Sequence, residues 1–176
     1  TGLSQHVGNW PGKTVEKREG AHTAEGQELR IVDLPGTYSL TAFSEEERVA
    51  RDFIINEGPD IIVLLMNATA LERSLYLLSE LLLLGPPVVV AVNMLDVAEQ
   101  QGIRIDTGAL ETSLGIPVIP MVATRNRGIR ELVESIIAVS GGKQQIKPNV
   151  PLVREDHREL FLELTSLIKE TVPPPY

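Results

Sequence analysis

Three short stretches, Asp33-Leu34-Pro35-Gly36, Asn93-Met94-Leu95-Asp96 and Val122-Ala123-Thr124, each follow an apolar run with residues able to bind a ligand. In the first, Asp, Pro and Gly are common turn residues, and a surface turn is one reading. The other is chemical: an aspartate can hold a water of Mg²⁺, and a glycine lets its backbone N–H approach a phosphate. In the second, a carboxylate can accept two hydrogen bonds from the N1–H and exocyclic amine of guanine, a donor pair that adenine does not present. An NxxD stretch is more often a helix start, with Asp96 as its cap. In the third, Ala123 offers a backbone N–H beside a small side chain, suited to the guanine carbonyl. Each is weak alone, and together they gain strength because each closes an expected strand.

The strands and helices that must position them are readable from periodicity. Residues 14–19, TVEKRE, alternate in a polar pattern that suits an edge strand, and 28–33 give a second strand. Ser44 stands at capping-box distance from Glu47, with Val49, Phe53 and Ile54 on one helical face, so 44–56 is expected to be a helix. The continuous apolar runs at 60–66 and 87–93 read as parallel strands covered on both faces. Helices are expected at 71–84, 107–114 and 128–139, and a strand at 116–121. Strands alternating with helices give an α/β fold, a doubly wound, mostly parallel sheet with helices on both faces. Open sheets of this kind bind ligands at the carboxyl ends of their strands, where the three stretches lie.

Upstream, Gly8-Asn9-Trp10-Pro11-Gly12-Lys13-Thr14 is either a plain loop or a mobile one whose Thr14 hydroxyl ligates Mg²⁺ only when a γ-phosphate is present. His6, His22 and His157 have no partners at metal spacing and read as loop or solvated residues. Beyond Gly142 a polar, proline-containing linker leads to one amphipathic helix at 154–170, so the chain divides into 1–142 and an appendage at 143–176. The formal net charge of −8 argues against non-specific attraction to nucleic acid. The absence of cysteine removes thiolate metal sites and cysteine nucleophiles.

With these residues in place, the chain resembles the cytosolic GTPase domain of the FeoB family of bacterial ferrous iron transporters. QHVGNWPGKTVEKREG is similar to that family's first switch, VDLPGTYSLTAFSEEERVARDF to its second, and NMLD and VAT to its guanine-reading motifs. The resemblance implies a Ras-like fold, binding of GTP or GDP with Mg²⁺ and, as a further candidate ion, K⁺, and hydrolysis of GTP to GDP and phosphate. It implies Thr14 and Asp33 as Mg²⁺ ligands and Thr14, Gly36 and Thr37 as the catalytic group, with Gly36 at the γ-phosphate. Asn93, Met94, Asp96, Val122, Ala123 and Thr124 would hold the guanine. It further implies a helical spacer after the GTPase domain and a membrane-embedded iron-transport domain of the same protein as partner. A homo-oligomer is a further possibility, with no nucleic acid partner, at the cytoplasmic face of the bacterial inner membrane.

The sequence departs from that pattern in three places. There is no GxxxxGK[ST] phosphate loop. Such a segment would also supply a central strand beside the one ending at Asp33, so these residues are expected to belong to a longer chain, with strand exchange between copies as the alternative. Thr37 stands where Ras-like enzymes carry the glutamine that orients the attacking water. Met94 stands where NKxD carries lysine; its thioether can still cover one face of the base, so weaker binding is expected. A non-hydrolysing interaction module is the rival reading, and a receiver-like domain a more distant one.

Overall fold

The computed structural model describes residues 4–10, 16–41 and 44–149; the expectations for Thr14, for His157 and for the helix at 154–170 fall outside them. Ser4–Asn9 (β1), Glu16–Ala24 (β2) and Gln27–Asp33 (β3) form an antiparallel sheet in that order. The hairpin between β2 and β3 turns on Glu25 and Gly26, with φ of 50° and 76°, the pair of left-handed residues that matches strand twist in a two-residue turn. Two expectations are corrected here. Part of the supposed loop before Thr14 is strand β1, and the supposed edge strand is central, paired on both sides. Its polar alternation has another cause: the described side chains of β2 are exposed or half-buried, so polar residues suit it whatever its place in the sheet.

The rest is α/β, as the alternation implies. Glu45–Glu57 (α1) leads to Ile62–Asn67 (β4), Leu71–Leu84 (α2), Val88–Asn93 (β5), Leu95–Gln100 (α3), Thr107–Leu114 (α4), Val118–Pro120 (β6), a 3-10 turn at Ala123–Arg125, and Ile129–Ser140 (α5). Strands β4, β5 and β6 are parallel neighbours in that order. α1 starts with the capping box read from the sequence: Ser44 Oγ accepts from Glu47 N–H at 3.1 Å, and Glu47 Oε2 accepts from Ser44 N–H at 3.2 Å. It stops at Gly58, whose φ of 55° ends the helix without a Cβ penalty.

The core lies between the parallel sheet and its helices. Val88, Val89, Val90, Ala91 and Val92 of β5 are fully buried, and Met66, Leu78 and Ile116 nearly so. Leu40, Ala50 and Ile54 join the same cluster, so α1 and the loop before it are packed onto the sheet. Trp10 is buried too, meeting the Phe53 ring edge-on at 5.3 Å and fixing the end of β1 against α1. Each Val, Leu, Ile or Met among them contributes roughly 1.5–3 kcal/mol on burial. β4 corrects a further expectation. Leu64 and Met66 are buried, but Val63 and Leu65 on its other face are 37% and 64% exposed, so this run is covered on one face only among the described residues.

Ser135 on α5 is buried, and its hydroxyl has no hydrogen-bond partner among the described residues. An unpaired buried hydroxyl costs about 1–3 kcal/mol, so its removal is favourable. Ser135→Ala is therefore expected to raise the melting temperature by roughly 2–4 °C, for a gain of about 1 kcal/mol. Calorimetry checks this, and a lower melting temperature would contradict it.

Candidate functional site

β5 places the second stretch. Buried throughout and paired on both sides, it emerges only at Asn93, and Met94 then turns the chain with φ 65° and ψ 31°. A left-handed methionine stores strain of roughly 1–2 kcal/mol, the kind found where geometry matters more than stability. It starts α3, which carries Asp96 in its first turn. Asp96 is not the cap: the cap position is Met94, whose side chain makes no capping hydrogen bond. The carboxylate thus remains available for other partners.

β6 places the third stretch. Met121 N–H donates to Val92 O at 2.8 Å, carrying the chain past the end of the strand. Val122 and Arg127 then exchange two backbone hydrogen bonds, 3.0 and 3.2 Å, which close 123–126 into a tight loop. Gly128 sits under it with φ 85°, where a Cβ would strike Pro120 O and the Met121 side chain, so only glycine lets the loop pack this closely. The two loops meet at one bond: Ala123 N–H donates to Asn93 Oδ1 at 3.0 Å. This orientation turns the Asn93 amide nitrogen, a donor, the other way. Asp96 lies alongside, its Oδ2 3.7 Å from Arg125 Nη2. Leu95, Asp96, Glu99, Met121, Val122 and Arg125 line a cleft of about 170 Å³ here. Asn93, Met94, Asp96, Val122, Ala123 and Thr124 are therefore gathered at neighbouring strand ends, Met94 and Thr124 being exposed.

The first stretch ends β3 with Asp33 exposed. Its cross-strand neighbour is Arg18, whose pKa is raised by a hydrogen bond and the charge of Glu16, with Asp33 contributing less. Among the described residues no cluster of acidic and histidine side chains could hold a metal by itself. Neither conformation nor packing demands glycine at 36: its φ is not positive, and an added Cβ would meet nothing within 4 Å. Thr37 is turned onto its own loop, donating to Ser39 O at 2.6 Å and accepting from Ser39 N–H at 3.2 Å.

Two residues that the sequence reading missed hold this loop on α2. Glu80 accepts from Leu40 N–H at 2.7 Å and from Ser39 Oγ at 3.4 Å, while the Arg73 guanidinium lies over the Tyr38 ring at 4.2 Å. Arg73 and Glu80 share a helical face with the buried Leu77, a spacing visible in the sequence, but nothing there names their partners. Arg125 was missed as well, although it directly follows the VAT stretch.

The family model described as ferrous iron transport protein B matches residues 1–136. The Fe(2+) transporter FeoB of Escherichia coli strain K12 is 49% identical over 173 residues, 96% of this chain and 22% of that protein. The cytosolic domain of L. pneumophila FeoB superposes with a TM-score of 0.87 at 42% identity, covering 97% of this chain and 66% of that one. The cytosolic domain of the T. maritima FeoB iron transporter in a GDP form gives 0.90 at 34% identity, covering 98% and 68%. The chain thus spans about a fifth of the length of the curated relatives it matches.

The Glu80 carboxylate makes a charge-assisted bond to a backbone N–H, and its removal leaves that donor unpaired. Glu80→Ala is expected to speed hydrogen exchange of the Leu40 amide about tenfold, while Glu80→Gln, which keeps an acceptor, stays close to the parent. Residue-resolved exchange by NMR reads this; equal rates in all three proteins would contradict the clamp. By sequence, fold and the placement of these motifs, the chain belongs to the ferrous iron transport protein B family.

Proposed function

We infer that this chain binds guanine nucleotides and hydrolyses GTP to GDP and phosphate, as the GTPase domain of a ferrous iron transporter, and thereby regulates Fe(II) uptake. The observation that carries this reading is the meeting of Asp96, Asn93 and Ala123 at the ends of adjacent parallel strands. Asp96 offers the two acceptors that guanine needs, Asn93 a donor for the N7 edge, and Ala123 an N–H for the carbonyl. An adenine presents neither of the two donors that satisfy Asp96. The GDP form of the T. maritima relative supports a guanine nucleotide as the ligand class.

In this reading the base fixes the nucleotide so that its phosphates run toward Asp33 and Gly36. Gly36, open on its Cβ side, lets its N–H approach the γ-phosphate. A lone exposed carboxylate fits Mg²⁺, which takes few protein ligands and keeps waters and phosphate oxygens as the rest, so Asp33 would hold the ion through a water. Bound Mg²⁺ would supply charge neutralisation at the β- and γ-phosphates. Thr14 would be its second protein ligand, and no residue is assigned to K⁺. Thr37, bonded within its own turn, would shape the loop that carries Gly36.

Residues 1–142 form the GTPase domain in this proposal and 143–176 begin a helical spacer, facing the membrane-embedded iron-transport domain from the cytoplasm. No helix among the described residues is long and apolar enough to cross a membrane. Self-association of copies belongs to the same proposal. The lack of a GxxxxGK[ST] stretch favours a second reading, an interaction module that binds nucleotide weakly and does not turn it over.

A fluorescent GDP analogue with Mg²⁺ separates the two. The GTPase reading expects binding that GTP competes away and ATP does not, with Asp96→Ala weakening it at least about tenfold, since two base donors lose their acceptors. Phosphate release from GTP then establishes turnover. A folded protein with no guanine-selective binding would overturn the reading.

A further inference from the structure

The two protein groups that would read a guanine already have partners within the chain. Ala123 N–H, the donor for the base carbonyl, is held by Asn93 Oδ1 at 3.0 Å. The Asp96 carboxylate, the acceptor for the base N1–H and amine, faces the Arg125 guanidinium at 3.7 Å. A guanidinium carries N–H donors, as the guanine edge does, and meets the carboxylate here through one nitrogen as a charge contact. An amide oxygen likewise resembles the base carbonyl. Resting on the guanine-binding reading above, we propose that the site is self-occupied: Arg125 and Asn93 Oδ1 stand in for the two sides of the guanine edge, and Arg125 sets the base affinity by competing for Asp96.

The local structure makes Arg125 suited to leave. It ends the short 3-10 turn Ala123–Arg125, followed by Asn126 with φ 54°, so its backbone is fixed by the loop while its side chain projects outward. That side chain is 70% exposed, against 23% for Asp96. The acid is thus built into the cleft and the cation lies over it from the solvent side. An ion pair so exposed is weak, worth at most about fivefold in an equilibrium constant. Base entry then exchanges internal partners for external ones. The carboxylate stays paired in both states, which avoids the larger cost of leaving a half-buried charge without a partner. Arg125 moves aside and Asp96 stays where the α3 turn places it.

The test uses the ¹⁵N-labelled chain and guanosine, which carries no phosphate and so reports on the base alone, with adenosine alongside. The Ala123 amide signal follows the titration in the parent, in Arg125→Ala, and in Arg130→Ala as a control on an exposed arginine of α5 that lies outside the cleft. Arg125→Ala is expected to bind guanosine about two- to fivefold more tightly, with adenosine and Arg130→Ala unchanged. Added salt, which screens the ion pair but not an uncharged nucleoside, should tighten guanosine binding in the parent and leave Arg125→Ala unaffected. Equal or weaker guanosine binding by Arg125→Ala, with the parent binding normally, overturns the competition while leaving the guanine reading intact. Guanosine binding by Arg125→Ala alone supports both. Failure of both folded proteins to bind guanosine defeats the guanine reading, and the competition with it.

Discussion

Strand β5 runs through the centre of the parallel sheet with no exposed surface from Val88 to Val92, its backbone paired to β4 on one side and β6 on the other. Such a strand has no room for a polar side chain along its length, because a buried amide or carboxylate without partners costs several kcal/mol. Its first polar residue must therefore come where the strand leaves the core, and that residue is Asn93. The remaining geometry follows from this position. Asn93 O accepts from Ala68 N–H at 2.9 Å, tying the end of β4 to that of β5, while its side chain ties in Ala123 beyond β6. Three strand ends are thus joined through one residue.

The second anchored segment is the loop after Asp33. It has little regular structure, yet Leu40 is buried in the core, its N–H is taken by Glu80, and Tyr38 lies under Arg73. The loop is held by α2, the helix that itself packs on β4 and so on the parallel sheet. Farther along, Lys147 N–H and Asn149 N–H donate to Gly115 O and Leu114 O, at 3.2 and 2.8 Å, so the supposed linker is pinned to the end of α4 before the described residues stop.

Much of this was legible in the sequence because local chemistry and burial pointed the same way. The capping box of α1, the apolar run of β5 and the Asn93 and Asp96 spacing are short-range signals that packing reinforces. The failures are equally physical. β1 was hidden because its sequence, SQHVGN, has little hydrophobic periodicity. β4 reads as apolar on both faces, but burial depends on what lies against the second face, which no run of residues records. Arg73, Glu80 and Arg125 were invisible as functional residues for a related reason: their partners are brought to them by the fold, Glu80 from forty positions away along the chain.

Readout of the base by Asp96 is tested by changing both sides of that contact together, the carboxylate and the exocyclic group it would meet. Asn in place of Asp presents a donor, which mismatches the amine of guanine and matches the carbonyl that xanthine carries at the same position. Affinities of Asp96→Asn and the parent for GDP and xanthosine diphosphate should therefore cross: the parent prefers GDP and the variant xanthosine diphosphate. A variant that remains folded and keeps the parent's preference for GDP would show that Asp96 does not contact the base.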